Sequence, residues 1–393
     1  MAANAAPLAG VRVLEIAGLA PAPFAGLVLA DFGADVVRID RVGKNGTVAP
    51  SQDTLARGKR SVALDLKSPE GIAALKDMVR KADVFIEPFR PGVAERLGIG
   101  PSDLCELNPR LIYARMTGFG QGGDKAVEGA AGHDNCYLAV TGILSALRRK
   151  GERPQAPINL LGDFAGGGLM CALGVLLALI ERNKSGKGQV IDAAMVDGAT
   201  YVSSFVYRAF ALGQWENDLD TVGTNVLDEG APFYTTYTCK DGRHIAVGAI
   251  EPQFYALMLK GMGLDAKRDG LPRQHDRSQW PAMTERFAAV FATKTRDEWA
   301  EIFHGVDACV FPILDFNEAY KYEHNRLRGT FIPNGDNPDI LEPRPAPVLS
   351  RTPGMPSRPM AVAGADTEAV LKQYGFAGER INALLQSRAA AKL

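Results

Sequence analysis

The feature that most constrains this chain is the regular alternation, over its first half, of short β-rich apolar runs with helical patterns. The runs fall at 11–16, 35–40, 61–66, 83–86, 111–116 and 190–193, each of strand length. Between them the spacing predicts helices over 24–32 and 68–82, the second opened by Ser68 as N-cap with Pro69 in its first turn. Alternation of this kind predicts an α/β domain built on a parallel, doubly wound sheet, with ligands bound at the carboxyl ends of its strands. The loops that follow those strands are therefore where chemistry is expected.

The pattern changes near residue 230. The runs 233–239 and 244–247, separated by Asp241-Gly242, read as a β-hairpin. Helices are predicted over 280–291 and 295–303, the latter started by the capping box Thr295-Arg296-Asp297-Glu298. After a proline-rich crossing, helices over 367–374 and 379–385 are expected to return to the first domain. A chain of 393 residues accommodates two domains of ordinary size. The expected division is a large domain over 1–200 completed by 330–393, a linker over 201–227, and a smaller α+β domain over 228–329. The longest apolar stretch, 164–180, is crowded with small residues and bracketed by Asp163 and Glu181-Arg182, so it is read as a buried core helix and not a membrane span.

With 44 basic against 45 acidic side chains, the chain offers no general attraction for nucleic acid or an anionic membrane. An anionic ligand must be held by a local basic cluster. Candidates are Arg41 after the second strand, Arg57, Lys59 and Arg60 before the third, Lys67 after it, and Arg90 after the fourth. Together they suit a phosphate-bearing ligand. A Walker lysine motif is absent, which argues against nucleotide hydrolysis. Five widely spaced cysteines without a C-x-x-C pair indicate neither a disulfide framework nor a zinc site. The first residues lack the basic start and apolar run of a secretory leader.

Three motifs bear on chemistry. Gly118-Phe119-Gly120-Gln121-Gly122-Gly123 matches G-x-G-x-x-G after a strand, but no helix is predicted to begin in these glycines, so a dinucleotide-binding reading is rejected. The alternatives are a loop whose backbone approaches a ligand, or a plain surface turn. His133 stands in the loop after the fifth strand, just before a helical pattern. Histidine holds or releases a proton near neutrality, whereas a capping or packing role is the plain alternative. Asp163 opens the apolar helix and is followed by Gly166, Gly167 and Gly168. An N-cap role would explain the aspartate but not the glycines, which are read as leaving the backbone uncovered at a positive helix end suited to an oxyanion. His133 and Asp163 are thus expected to be two proton carriers on one sheet edge.

The segments VVRIDR, RGKRSVALDLKSP, RLIYARMTGFGQ, AGHDNCYLAVTG, LLGDFAGGGLMCALG, GKGQVIDAAMVDG, GAPFYTTY, VGAIEPQFY and DACVFPIL resemble the class III CoA-transferase family, in the branch whose members racemise 2-methyl-branched acyl-CoA thioesters. The segments span nearly the whole chain, and AGHD together with GDFAGGG is the most specific part of the likeness. The resemblance implies a Rossmann-like large domain linked to a small one in an interlocked homodimer, each active site shared between the large domain of one subunit and the small domain of the other. It implies an isomerase that removes the proton beside the thioester carbonyl and returns it to the other face, with no metal or redox cofactor and CoA present only as part of the substrate. Carried over residue by residue, it implies His133 and Asp163 as the bases, with Glu251 orienting the histidine across the interface. The implied CoA contacts are Arg41, Leu64, Asp65, Leu66, Lys67, Arg90, Gly132, Asp134, Asn135, Cys136 and Tyr137.

The competing expectation is a true CoA-transferase in which Asp163 is a nucleophile that carries the acyl group as an anhydride. That branch carries a glycine-rich loop in its small domain, and no such run occurs between Gly242 and Gly263. The racemase reading is therefore preferred. The closing Ala391-Lys392-Leu393 resembles a peroxisomal import address, which implies an import receptor and a peroxisomal, or also mitochondrial, location in a eukaryote. In a bacterium the match would be accidental and the location cytoplasmic.

Overall fold

The computed structural model describes residues 6–51 and 53–393. The N-terminal residues 1–5, on which the reading of a missing leader partly rests, lie outside them, as does Gln52. The chain divides into two compact units: the described residues through Thr141 with Pro157–Val202 and Glu323–Leu393, and a second unit of Gly142–Ala156 with Ser203–Tyr322. The stretch 201–227, read as a linker, is thus split, most of it belonging to the second unit. There Asn217 Nδ2 donates to Ser145 Oγ at 2.8 Å, and Gly223 lies against the Lys150 backbone so closely that a Cβ would come within 2.2 Å of its nitrogen.

In the first unit six parallel strands form one sheet: β1 (Arg12–Ile16), β2 (Asp35–Arg41), β3 (Arg60–Leu64), β4 (Val84–Glu87), β5 (Ile112–Thr117) and β6 (Val190–Ala194). Their order is β3-β2-β1-β4-β5-β6, with the C-terminal strand Ala390–Ala391 added antiparallel to β3. This is the doubly wound order, with its switch point between β1 and β4. Two helices flank the early strands, α1 (Pro21–Asp31) and α2 (Pro69–Val79). Ser68 caps α2 by accepting the Gly71 N–H, as its sequence predicts. Successive side chains of a strand point to opposite faces. Leu14, Val37, Ile39 and Phe85 accordingly enter one core with α2 and the C-terminal helices, while Val13, Val36, Val84 and Ile86 enter the other with α1.

Further along come α3 (Asp134–Thr141), the long α4 (Leu160–Ser185) and α5 (Met195–Val202). The first ten residues of α4, Leu160–Leu169, are π-helical, an irregularity often found beside functional sites. The apolar stretch read as a core helix is buried along one side only. Cys171, Ala172, Val175 and Ala178 pack inward, whereas Leu169, Leu173, Leu177 and Ile180 form an exposed apolar stripe, each at least 42% accessible. An apolar run spaced for a helix does not reveal how many of its faces the same chain covers.

The second unit holds a three-stranded antiparallel sheet of β7 (Tyr234–Thr238), β8 (His244–Gly248) and β9 (Val310–Pro312). The Asp241-Gly242 turn joins the first two, with Gly242 at φ 76°. Phe287, Phe291 and Trp299, from helices Trp280–Phe291 and Arg296–Phe303, are fully or nearly fully buried against this sheet. The capping box of Thr295 and Glu298 forms as expected.

Candidate active site

Loops that follow the strands near the switch point converge on one edge of the first unit. A cavity of about 590 Å³ is walled there by Gly18 after β1, Phe89 and Arg90 after β4, Thr117 and Phe119 at the end of β5, and Met195 after β6. His133 and Asp163 both line it, together with Gly132, Cys136 and Tyr137. The two candidate proton carriers therefore converge from separate loops, as the sequence reading expected.

Asp163 sits in the first turn of α4 and is 6% exposed. Asn159, at φ 60°, donates from Nδ2 to Asp163 Oδ2 at 2.7 Å, while the Asp163 N–H donates to Asp134 Oδ1 at 2.7 Å. Burial raises the Asp163 pKa above the ordinary carboxylate range; the Asn159 amide opposes this, the Asp134 charge adds to it, and His133 opposes it. A carboxyl so placed binds a proton more readily than one in water. Asp134, 2% exposed, accepts the Asp163 N–H with one oxygen and does not itself line the cavity. Asn135 is exposed and likewise does not line the cavity. Neither the inward turn of Asp134 nor the role of Asn159 has a sequence signal beyond their nearness to His133 and Asp163.

The glycines around the site serve packing. A Cβ on Gly166 would stand 2.4 Å from the Ala199 nitrogen, one on Gly198 1.8 Å from the Gly166 oxygen, and one on Gly168 2.5 Å from the Pro21 oxygen. They let α4 lie directly on α5 and α1, and Gly166, Gly167 and Gly168 are buried, which corrects the reading of an uncovered backbone. What remains of that expectation is the positive end of α4 at Asp163. In the G-x-G-x-x-G run, Gly118 lies against the Tyr137 ring, as does Gly132 after it, and added Cβ atoms would meet Cε1 at 2.0 and 2.7 Å. The close approach is to a side chain of the protein itself.

A second cavity, about 760 Å³, continues along the same edge and shares Ala17 and Phe89 with the first. Arg41, Lys44, Leu64, Asp65, Leu66 and Lys67 line it, and the cationic side chains Arg41 and Lys67 are exposed. Arg90 is exposed on the wall of the first cavity. The basic cluster is therefore Arg41, Lys67 and Arg90, with Lys44 as a member the sequence reading missed. Arg57, Lys59 and Arg60 do not belong to it. Arg57 binds Asp31 at 2.6 Å and Glu342 at 2.9 Å, Lys59 is fully buried on Glu15 at 2.8 Å, and Arg60 binds Asp35 at 2.6 Å. Their partners are distant in sequence, so residue type alone could not separate them from ligand-facing cations.

Glu251 belongs to the second unit. It occupies the N-cap position of Pro252–Gly261 without using its side chain as a cap, and it is exposed. Gln274 Nε2 donates to the carbonyls of Ala249 and Ile250 at 3.0 and 2.7 Å and fixes the backbone that precedes it. Among the described residues no cluster of His, Cys, Asp or Glu is arranged to hold a metal ion.

The sequence is 54% identical to the alpha-methylacyl-CoA racemase of Mus musculus over 383 residues, 97% of each chain. It is 53% identical to the alpha-methylacyl-CoA racemase of Homo sapiens over 375 residues, 95% of each chain. Among solved structures, Rv3272 from M. tuberculosis is similar with a TM-score of 0.77 and 26% identity, over 93% of this chain and 99% of that one. The model of CoA-transferase family III matches residues 8–367. A match of that extent, on the doubly wound fold and the cavity just described, means that the chain belongs to CoA-transferase family III.

Proposed function

We propose that this chain is an isomerase that interconverts (2R)- and (2S)-2-methyl-branched acyl-CoA thioesters. The observation that carries the reading is the convergence of His133 and Asp163 on one cavity from two independent loops. A proton beside a thioester carbonyl is weakly acidic, so its removal needs a base in contact and stabilisation of charge as the enolate oxygen develops. Racemisation also needs a second group, protonated while the first is not, on the opposite face of the carbon. For the (2S) substrate His133 abstracts the proton and Asp163 returns one; for (2R) the roles reverse. Burial of Asp163 suits it to both tasks, since a raised pKa lets the same carboxyl hold a proton for donation. The CoA portion, which is part of the substrate, lies along the second cavity, with Arg41, Lys67 and Arg90 facing its phosphates.

The active unit proposed is a homodimer with shared sites, in which Glu251 of one subunit polarises His133 of the other. The exposed stripe of Leu169, Leu173, Leu177 and Ile180 supports it, because an apolar helix face of this extent marks a surface that another protein covers. In a eukaryote we place the enzyme in the peroxisome, read through Ala391-Lys392-Leu393. Ala391 is paired to Ala63 in the sheet, so an import receptor would have to draw the tail out of it. Deleting Leu393 from the fluorescently tagged protein and finding import unchanged would remove this assignment.

The test of the function is chiral analysis of purified protein given a single enantiomer of a 2-methylacyl-CoA without any acceptor acid. Conversion to a mixture near equal proportions is expected. Absence of conversion, with CoA transfer once a carboxylate acceptor is added, would make Asp163 a nucleophile and the protein a transferase.

A further inference from the structure

Asp65, Leu66 and Lys67 line the second cavity as a short loop after β3, with Leu66 packed against the first core. Its backbone is tied as well to the far end of the chain. The Asp65 N–H donates to the Ala389 carbonyl at 2.8 Å, and Asp65 in turn orders the loop, its Oδ1 accepting the Lys67 N–H at 2.9 Å and its carbonyl the Ser68 N–H at 3.1 Å. Ala390 and Ala391 continue the pairing along β3, opposite Leu64 and Ala63. The short terminal strand is itself fixed by Thr367, which is fully buried. Thr367 Oγ1 accepts the Ala63 N–H at 3.1 Å, and its one hydroxyl proton is shared between the carbonyls of Ala391 at 2.7 Å and Gly364 at 2.9 Å. Lys392 Nζ adds an ion pair with Glu368 at 2.7 Å on the next residue of the same helix.

From this chain of bonds we infer that Thr367 is a positioning residue for the CoA groove, acting through the terminal strand and the Asp65 backbone. The inference rests on the proposed function in taking CoA as the ligand of that cavity. A hydroxyl is needed at this place because one group must accept from β3 and donate to the tail at once. Valine has the same shape and can do neither, leaving the Ala63 N–H and the Ala391 carbonyl without their buried partner. Serine keeps the hydroxyl. The site that Thr367 serves is the wall against which the nucleotide end would lie, outside the cavity that holds His133 and Asp163, so the effect belongs to binding and not to proton transfer.

The experiment measures Kd for free CoA by calorimetry, and kcat and KM for a 2-methylacyl-CoA, in the full-length protein and its Thr367→Val and Thr367→Ser variants, with a further variant lacking residues 390–393. Thr367→Val and the truncation are expected to raise Kd and KM together by about 5- to 10-fold with kcat within about twofold, and Thr367→Ser to restore both constants. An unchanged Kd in Thr367→Val and in the truncated protein would overturn the inference, as would loss of kcat in step with Tm and no rescue by serine. Failure of the unaltered protein to bind CoA at all would instead overturn the functional reading on which it rests.

Discussion

Asp163 carries opposing influences whose balance sets its protonation. Burial raises its pKa and the 2.7 Å bond from Asn159 opposes that rise. Removing the amide takes away a stabiliser of the charged form, so Asn159→Ala is expected to move the acidic limb of the pH–rate profile for the (2R) substrate to higher pH. A limb that stays in place would separate Asn159 from catalysis. Asp134 presents a different case, because its carboxylate accepts the Asp163 N–H out of contact with solvent. Asp134→Ala leaves that donor unpaired and is expected to cost about 1–3 kcal/mol of stability, read by denaturant unfolding. Glu15 offers a third measurement. It is buried on Lys59, and burial pushes its pKa from 4.5 up to about 7. A raised carboxyl contributes stability fully below its unfolded value, and that contribution is lost as pH rises through the folded one, so stability is expected to fall between about pH 4.5 and 7. Glu15→Gln should flatten that slope; an unaltered slope would contradict the assignment. That His133 and Asp163 meet at one edge was legible in the sequence because each stands in a short, distinctive motif on a loop or helix start between strands. Asn159 and the ion pairs of Arg57, Lys59 and Arg60 were not, since each depends on a partner whose position only the fold supplies.

At the level of elements, the placement of Asp163 depends on how closely α4 can lie on α5. The Gly198 to Gly166 contact leaves no room for a methyl group, since the added carbon would meet a backbone oxygen at 1.8 Å and backbone cannot swing aside. Gly198→Ala is therefore expected to destabilise the protein by about 1–3 kcal/mol or more and to lower activity with it. A Tm unchanged by this substitution would mean that the helices separate without cost. Strands and helices were legible to within a few residues because apolar period, Ser68 and the Thr295 capping box are local signals. The purpose of the GDFAGGG glycines was not. A small residue in a sequence marks close approach, but whether to a ligand or to another helix is decided by tertiary packing.

For the molecule as a whole, the sheet order brings the ends of β1, β4, β5 and β6 to one edge and gathers the cavity lined by His133 and Asp163 and the basic cavity side by side. The alternation of strands and helices announced this edge in advance. The outward side of α4 it did not announce, because a stripe of leucines reads alike whether the same chain or a second one covers it. If two copies share their sites, Leu173→Lys combined with Leu177→Lys should halve the mass seen in sedimentation and remove most activity, whereas a monomeric and fully active variant would contradict the shared site. Beyond assembly, the racemase reading stands on two different bases working on opposite faces of one carbon. That is tested most directly by proton NMR of the C2 hydrogen in D2O for the Asp163→Asn and His133→Ala variants, each given (2S) and (2R) substrate separately. Asp163→Asn is expected still to exchange the (2S) substrate but not the (2R), His133→Ala to do the reverse, and neither to yield the inverted enantiomer. Equal loss of exchange from both enantiomers in Asp163→Asn would contradict the two-base mechanism.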